Sequence, residues 1–301
     1  MSLATTVAGI ELEHPVMNPG GTCKTVPHME RFVRSAVSAI VLGPATPLPR
    51  EINPGNVYWQ GEHYSLNSLG MPNGGESYYR DHLPYMIELA DQYEKPLIFQ
   101  IAGFNPDDYV RLARLAEELG IKHIELNFGC PNIWDDGSQK RIFSFDRDAM
   151  HTIFAMVRNV FSGTIGIKLS PYSDPYLLNE VAETLVVMAP ALGYVACSNT
   201  FPNAVELKPD GTPVISKIFA GLSGVAMKPI ALGQVMQFAP FLKGTGIDIV
   251  GVGGVFEGQD VVDYLNGGAV AVQASTTFWN ANEDPGVYSR IVGELYDELE
   301  G

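Results

Sequence analysis

Short apolar runs typical of strands alternate with helix-like patterns along this chain, and that alternation constrains its fold more than any other feature. Eight strands, each followed by a helix, is the count of a (β/α)8 barrel, the TIM barrel. We therefore predict an α/β fold of this type, built as a single domain over residues 1–301. The candidate strands lie at residues 15–18, 38–42, 96–102, 122–127, 164–169, 193–199, 247–252 and 269–275.

The helical segments carry start and stop signals of their own. Asn105 followed by Pro106 is typical of an N-cap and a first helical residue, and Gly120 marks the end of the same helix. Asp146 and Asp174 begin two further helices in the same way. These signals support the helix-after-strand order.

The chain has 19 basic and 34 acidic residues, which gives a formal net charge of 19 − 34 = −15. Such a charge repels phosphate backbones and anionic membranes, so we expect neither nucleic acid nor a membrane as a partner. No run approaches the roughly 18 apolar residues that a membrane-spanning helix needs. No signal-peptide pattern is found at the start, and residues 1–3 and 300–301 are compatible with remnants of recombinant expression.

Three cysteines are present, Cys23, Cys130 and Cys197, with no CxxC pair. An odd count without such a pair argues against a disulfide framework or a structural zinc site and suits a reducing compartment, so we expect a cytoplasmic protein. The six histidines show no metal-ligand spacing, and we predict no metal site.

Cys130 differs from the other two cysteines in its neighbours. A strand-like alternation over residues 123–128 is stopped by Gly129 and Pro131. The thiol therefore emerges in a loop at the mouth of the predicted barrel, where it is a candidate catalytic group. A buried cysteine that acts only as a small hydrophobic residue is the alternative.

Two connections between a strand and the following helix are much longer than the rest. Residues 54–75 are rich in Gly, Tyr, Trp and Asn, and residues 200–224 contain a Lys-Pro-Asp-Gly turn. In a barrel such connections lie at the carboxyl ends of the strands, where active sites are built. We expect these extended loops to form the active-site face, and insertions that serve only oligomer contacts are the alternative.

Glycines and hydroxyl residues at the ends of the last two strands indicate a phosphate site. Gly253 and Gly254 follow the seventh strand, Ser275 and Thr276 follow the eighth, and Gly224 precedes the helix before strand seven. Glycine lets backbone N–H groups approach an anion closely, and barrels commonly hold a phosphate at these strand ends. The spacing is not the dinucleotide fingerprint, so a Rossmann-type site is excluded.

Polar side chains of two kinds, a lysine and several asparagines, lie at the predicted mouth of the barrel. Lys168 lies near the end of an otherwise apolar strand, where an ammonium group is costly to bury unless an anion or a strong acceptor meets it. It is a candidate partner for an electron-rich cofactor ring, and pairing with a core carboxylate is the alternative. The amides suited to a planar ligand that bears amide groups are Asn67, Asn127, Asn132 and Asn199.

Several of these segments together resemble dihydroorotate dehydrogenase, in order and over most of the chain. They are residues 67–73 (NSLGMPN), 127–132 (NFGCPN), 168–171, 199–200 and 221–224, together with the two phosphate loops. The resemblance implies an FMN-containing barrel that oxidises dihydroorotate to orotate in pyrimidine biosynthesis. Cysteine before Pro-Asn is similar to the soluble class of the family. That class implies a homodimer that uses fumarate, or a form with an iron–sulfur partner subunit that uses NAD.

By this resemblance Cys130 is the general base that takes a ring proton, and Lys168 stabilises the reduced flavin. Gly20 and Ser198 would line the isoalloxazine, and Asn127 would contact both flavin and substrate. The residues implied to cradle the FMN phosphate are Gly224, Gly253, Gly254, Ser275 and Thr276. Those implied to surround the substrate are Asn67, Leu69, Gly70, Met71, Asn127, Asn132, Asn199 and Thr200.

One position departs from the family pattern. The family has a lysine at the end of strand two that meets the orotate carboxylate, whereas this chain has Gly43. A charge-assisted contact to a carboxylate is among the stronger polar interactions. Lys24 and Arg50 are the candidates to replace it, and an ene-reductase that acts on a related substrate without that carboxylate is the alternative.

Two other functions compete with this one. The Asn-x-Gly-Cys-Pro pattern around Cys130 is also similar to dihydrouridine synthases, which act on a flipped tRNA base, but a charge of −15 disfavours an RNA partner. The other is a non-catalytic barrel that binds a small phosphate, and it would take up no FMN.

Overall fold

The computed structural model describes residues 3–135 and 138–300 of the chain. From β2 to β8 each barrel strand pairs in parallel with the next, and β8 pairs with β1. The predicted (β/α)8 barrel is confirmed, and every predicted strand is found at its expected place. Within the described residues the barrel strands are β1 (Val16–Met17), β2 (Ile40–Ala45), β3 (Leu97–Ile101), β4 (His123–Asn127), β5 (Thr164–Leu169), β6 (Tyr194–Cys197), β7 (Asp248–Val252) and β8 (Ala271–Gln273).

A helix follows each strand, and two helices follow β8. Asn105 accepts a hydrogen bond from the N–H of Asp108, Asp146 accepts from that of Ala149, and Asp174 caps the next helix in the same way. The predicted N-caps are therefore confirmed. In the described part of the chain the helices are α1 (Val26–Phe32), α2 (Gly75–Gln92), α3 (Pro106–Glu118), α4 (Arg147–Arg158), α5 (Pro175–Met188), α6 (Lys228–Leu242), α7 (Gly258–Asn266), α8 (Thr276–Asn280) and α9 (Gly286–Glu300).

The side chain of Asn18 helps to close the barrel between β1 and β2. Its Nδ2 donates to the carbonyl of Val41 at 2.9 Å, and its Oδ1 accepts from the Val41 N–H at 3.1 Å. Just beyond it, Cys23 forms a parallel bridge with Leu42. The fully buried Asn18 thus supplies the pairing that the very short β1 cannot supply with its own backbone.

Successive residues of each strand point to opposite sides of the sheet. In β4, Ile124 and Leu126 pack outwards in the main hydrophobic core, which the helices share. Glu125 points inwards, since it contacts side chains of three other strands. The strand pattern therefore places apolar residues under the helices and selected polar residues inside the barrel.

A short hairpin covers the amino-terminal end of the barrel. Its strands, Thr5–Val7 and Ile10–Leu12, are antiparallel, and their buried side chains join an inner cluster with residues of the barrel strands. The backbone N–H of Ala8 donates to the carboxylate of Asp248, the first residue of β7. The interior is thus closed at this end, and access is left at the other.

The two long connections pair with each other across the open end. Among the described residues, Phe201–Ala204, Ala220–Ser223, Ser65–Asn67 and Tyr58–Gln60 form a four-stranded antiparallel sheet in that order. The predicted position of these connections at the carboxyl ends of the strands is confirmed. The sequence did not predict that they are paired strands.

Smaller elements lie in the connections after β4 and β6. They are a hairpin of Trp134–Asp135 with Ser138–Gln139 and two 3-10 turns, Phe143–Phe145 and Val225–Met227. Leu3 packs into the main core, and Met1, Ser2 and Gly301 lie outside the described residues. Across the described ranges, no helix combines the length and the apolar character that crossing a membrane requires.

Candidate active site

A cavity of about 890 Å³, counting the space that is open to solvent, lies at the carboxyl ends of the barrel strands, beside the four-stranded sheet. A smaller cavity of about 360 Å³ adjoins it and shares part of its wall. Every residue that the sequence predicts for the site lies in one of the two. The main cavity is lined by Gly20, Asn67, Leu69, Gly70, Met71, Asn127, Cys130, Asn132, Lys168, Ser198, Asn199, Thr200, Ser275 and Thr276, and the smaller one adds Gly224, Gly253 and Gly254.

Other lining residues were not predicted as part of the site. Tyr58 comes from the first long connection, and Trp279 from α8. Gln100 is a polar residue within the apolar strand β3, which is a signal that the sequence contained. Lys24, which lies between β1 and α1, also lines the main cavity, and the sequence offered it only as a replacement cation.

Lys168 is buried at the floor of the main cavity and belongs to a hydrogen-bonded network inside the barrel. Its Nζ donates to Oε1 of Gln273 at 2.7 Å, and Nε2 of Gln273 donates to Glu125 at 3.1 Å. Glu125 also accepts from the hydroxyl of Tyr194 and the amide of Gln100. Burial lowers the pKa of Lys168, and the nearby Glu125 carboxylate opposes that shift.

Four predicted asparagines form an amide wall of two hydrogen-bonded pairs. Asn132 donates to Oδ1 of Asn67 at 2.8 Å, which joins the loop after β4 to the four-stranded sheet. Asn199 donates to Oδ1 of Asn127 at 3.3 Å, and Asn127 donates in turn to Gln100 at 3.2 Å. Amides offer donors and acceptors without ionising, so this wall suits a flat polar ring.

Cys130 lies in the loop after β4, where it is partly buried and lines the same cavity as this wall. Burial raises the pKa of its thiol to about 11, although the N–H of Asn132 and the charge of Arg50 oppose the rise. The preceding Gly129 allows close packing, because a Cβ there would lie 2.7 Å from the backbone of Leu169. The thiol is therefore protonated at neutral pH, and it becomes a base as the pH rises.

The smaller cavity presents backbone donors. Gly224, Gly253 and Gly254 have φ angles of 87°, 139° and 68°, which favour glycine. A Cβ on Gly254 would lie 2.8 Å from the backbone nitrogen of Lys228. Among the described residues, the N–H of Gly254 has no protein acceptor, and the N–H of Gly224 donates to the hydroxyl of Thr276. A free N–H group beside the hydroxyl of Thr276 suits an anion such as a phosphate.

Two glycines beside the cavity pack closely against Gln100. A Cβ on Gly20 would overlap the side chain of Gln100, and one on Gly43 would lie 2.4 Å from the carbonyl oxygen of Gln100. Gly43 also has a φ of 123°. The end of β2 therefore places no charged or hydrogen-bonding side chain in the cavity, and its Pro44 forms part of the wall. In the part of the chain that the structure describes, no cluster of three or more His, Cys, Asp and Glu side chains could hold a metal ion.

Comparisons with known proteins agree with this geometry. The family model of dihydroorotate dehydrogenase matches residues 2–299. Dihydroorotate dehydrogenase A (fumarate) of Lactococcus lactis subsp. cremoris is 32% identical over 97% of this chain and 93% of its own length. Dihydroorotate dehydrogenase (fumarate) of Kluyveromyces lactis is 31% identical over 99% and 93%. The crystal structure of DHODH from Eimeria tenella in complex with ferulenol, 18% identical, has a TM-score of 0.82 and matches 99% of this chain and 84% of that one.

The raised pKa of Cys130 predicts how the thiol reacts with alkylating reagents. Cys23 and Cys197 are fully buried, so Cys130 should be the thiol that iodoacetamide modifies. Only the thiolate reacts, so the rate should rise about tenfold per pH unit from about pH 7 to about pH 10. Mass spectrometry of the labelled protein measures the rate, and Cys130→Ala should remain unlabelled. A rate that levels off near the ordinary thiol pKa of about 8.5 would contradict the effect of burial.

Proposed function

This chain belongs to the dihydroorotate dehydrogenase family, and from that premise we propose that it is an FMN-dependent enzyme that oxidises dihydroorotate to orotate. One observation carries the proposal. A single cavity joins a thiol, an amide wall and a buried lysine to a neighbouring set of anion-binding donors. This reaction requires a group that transfers a proton, a surface that recognises a flat ring and donors that bind a phosphate.

The residues of the two cavities fit FMN. The donors of the smaller cavity suit its phosphate, and the wall at Gly20 and Pro44, which has no polar side chain, suits a flat ring system. Ser198 and Asn127 would line that ring, and Lys168 would place a positive charge at its edge. When bound, FMN accepts the hydride equivalent that leaves the substrate. The proposed phosphate ligands are Gly224, Gly253, Gly254, Ser275 and Thr276.

The amide wall would hold the substrate ring. Each asparagine retains donor or acceptor capacity beyond its bonds within the wall, and the ring of dihydroorotate carries matching amide groups. Backbone groups of residues 69–71 and the side chain of Thr200 lie around the same space. The full set proposed for the substrate is Asn67, Leu69, Gly70, Met71, Asn127, Asn132, Asn199 and Thr200.

Cys130 would act as the acid–base group. In the oxidation its Sγ takes a proton from a ring carbon as the neighbouring carbon loses a hydrogen with its electron pair, so the ring gains a double bond. The reverse reaction needs the protonated thiol. Because burial raises the pKa of Cys130 to about 11, the form that serves the oxidation grows as the pH rises.

We also propose an oligomeric state, a cellular location and an electron acceptor for the enzyme. Four exposed apolar residues lie in the connection between the strands Phe201–Ala204 and Ala220–Ser223, and exposed apolar side chains suit a contact between two copies of the chain. They are Val205, Leu207, Ile218 and Phe219. We propose a cytoplasmic homodimer of single-domain subunits that passes electrons to fumarate, the acceptor in the names of the relatives.

If the backbone donors around Gly254 bind the FMN phosphate, one methyl group added at Gly254 should change the affinity for FMN. Gly254→Ala should weaken FMN binding at least tenfold, since the Cβ forces the backbone of Lys228 and Gly224 away from its place. Gly244→Ala is the matched control, because Gly244 has a similar φ of 79° with open space around its Cβ. Fluorescence titration of apo-protein with FMN measures both. Equal FMN affinities of the two variants would show that these backbone donors do not bind the FMN phosphate.

The acid–base role predicts what substitution of Cys130 does to turnover. Cys130→Ala should retain FMN and bind orotate, yet lose dihydroorotate oxidation by about 10² or more. Cys130→Ser should recover part of the activity at higher pH, since a hydroxyl ionises less readily than a thiol. In the wild type, kcat/KM should rise with pH towards the thiol pKa of about 11. Wild-type turnover by the alanine variant would show that another group moves the proton.

A further inference from the structure

Lys24 places a positive charge at the wall of the main cavity, and no acceptor of the described residues forms a hydrogen bond with it. It is half-buried, and its Nζ lies 5.8 Å from the ring centroid of Trp279. Across the described ranges, its ammonium group makes no hydrogen bond and no ion pair; the Glu283 carboxylate acts on it only from a distance. Burial lowers the pKa of Lys24, because the charged ammonium group loses contact with water. An ammonium group in this position gains most from an anion that enters the cavity.

Other cations near the cavity are already engaged. Lys168 donates to Gln273 at the floor. Arg50 donates to the carbonyl of Gly70 at 2.9 Å, and its guanidinium lies 5.0 Å from the ring centroid of Phe104, outside the main cavity. Of the lysine and arginine side chains in the described part of the chain, Lys168 and Lys24 line the main cavity. Lys168 is held by the network under the floor, whereas no hydrogen bond within the described residues holds the ammonium group of Lys24.

The neighbourhood of Lys24 explains why the charge comes from this loop. Cys23 bridges to Leu42, and its carbonyl accepts from the N–H of Gly43 at 2.8 Å. Lys24 therefore emerges beside Gly43. The backbone carbonyl of Gln100 excludes any side chain at Gly43, and the next residue, Pro44, has no N–H to donate. The end of β2 thus offers neither a charge nor a side-chain donor, whereas the adjoining loop offers both.

We propose that Lys24 binds the carboxylate of the substrate and so selects carboxylate-bearing rings. This inference rests on the proposed function. A phosphate is the other anion that an FMN enzyme holds, but the glycine donors suited to it line the smaller cavity, and Lys24 does not. The amide wall that suits the ring and the ammonium of Lys24 lie in one and the same cavity. A ligand that fills the main cavity therefore meets both.

The test compares orotate with uracil, the same ring without the carboxylate. In the FMN-loaded wild type, Lys24→Met, Lys24→Arg and Lys243→Met, the change in the flavin spectrum gives Kd for each ligand. Lys243 is exposed just after α6, at the amino-terminal end of the barrel, so its replacement removes the same charge far from the cavity. Lys24→Met should weaken orotate about ten- to a hundredfold and leave uracil unchanged. Lys24→Arg should retain most of the affinity, and Lys243→Met all of it.

Other results would overturn the inference and locate the error. Equal orotate affinity in wild type and Lys24→Met, or an equal loss for uracil, would show that Lys24 does not read the carboxylate. Loss of FMN from Lys24→Met would assign the ammonium to the phosphate. A wild type that binds neither orotate nor uracil, but binds fumarate in a Lys24-dependent way, would reject dihydroorotate as substrate while retaining Lys24 as the carboxylate receptor.

Discussion

The ammonium group of Lys168 is buried at the floor of the main cavity, and much of the interior is arranged around that charge. A buried cation is costly unless it is paired and hydrogen-bonded. Here Gln273 accepts a hydrogen bond from Lys168 and donates one to Glu125. Glu125 also accepts hydrogen bonds from two further donors. One of these is Tyr194, whose ring occupies the space that a side chain on Gly166 would fill. Through these contacts five strands contribute to one hydrogen-bonded network, the polar layer just beneath the ligand space.

Above this layer the site depends as much on missing side chains as on present ones. The wall at Gly20 and Pro44 carries no polar side chain and leaves room for a flat ring, and the N–H of Gly254 has no protein acceptor among the described residues. Glycine and proline at the end of β2 cannot supply charge. The positive charge at this side of the cavity therefore comes from Lys24, in the loop that pairs with β2.

The sequence predicted the local features and missed the distant ones. The eight strands, the cap at Asn105 and the placement of the predicted site residues around the cavity follow from periodicity, turn chemistry and a family resemblance. The closure of the barrel by Asn18 and the pairing of the two long connections depend on segments far apart in the chain, which periodicity does not relate. The polar layer had a visible signal, since Gln100 and Glu125 interrupt apolar strands. The backbone contact that excludes a side chain at Gly43 had none.

The central claim is that dihydroorotate delivers its electrons to a flavin held in this cavity. The most direct test mixes FMN-loaded wild-type protein with dihydroorotate in the absence of oxygen and follows the visible absorbance of the flavin. The account predicts that the absorbance is lost as orotate forms in equal amount, and that fumarate then restores it. Absorbance that persists with dihydroorotate, but disappears with a chemical reductant such as dithionite, would contradict the account.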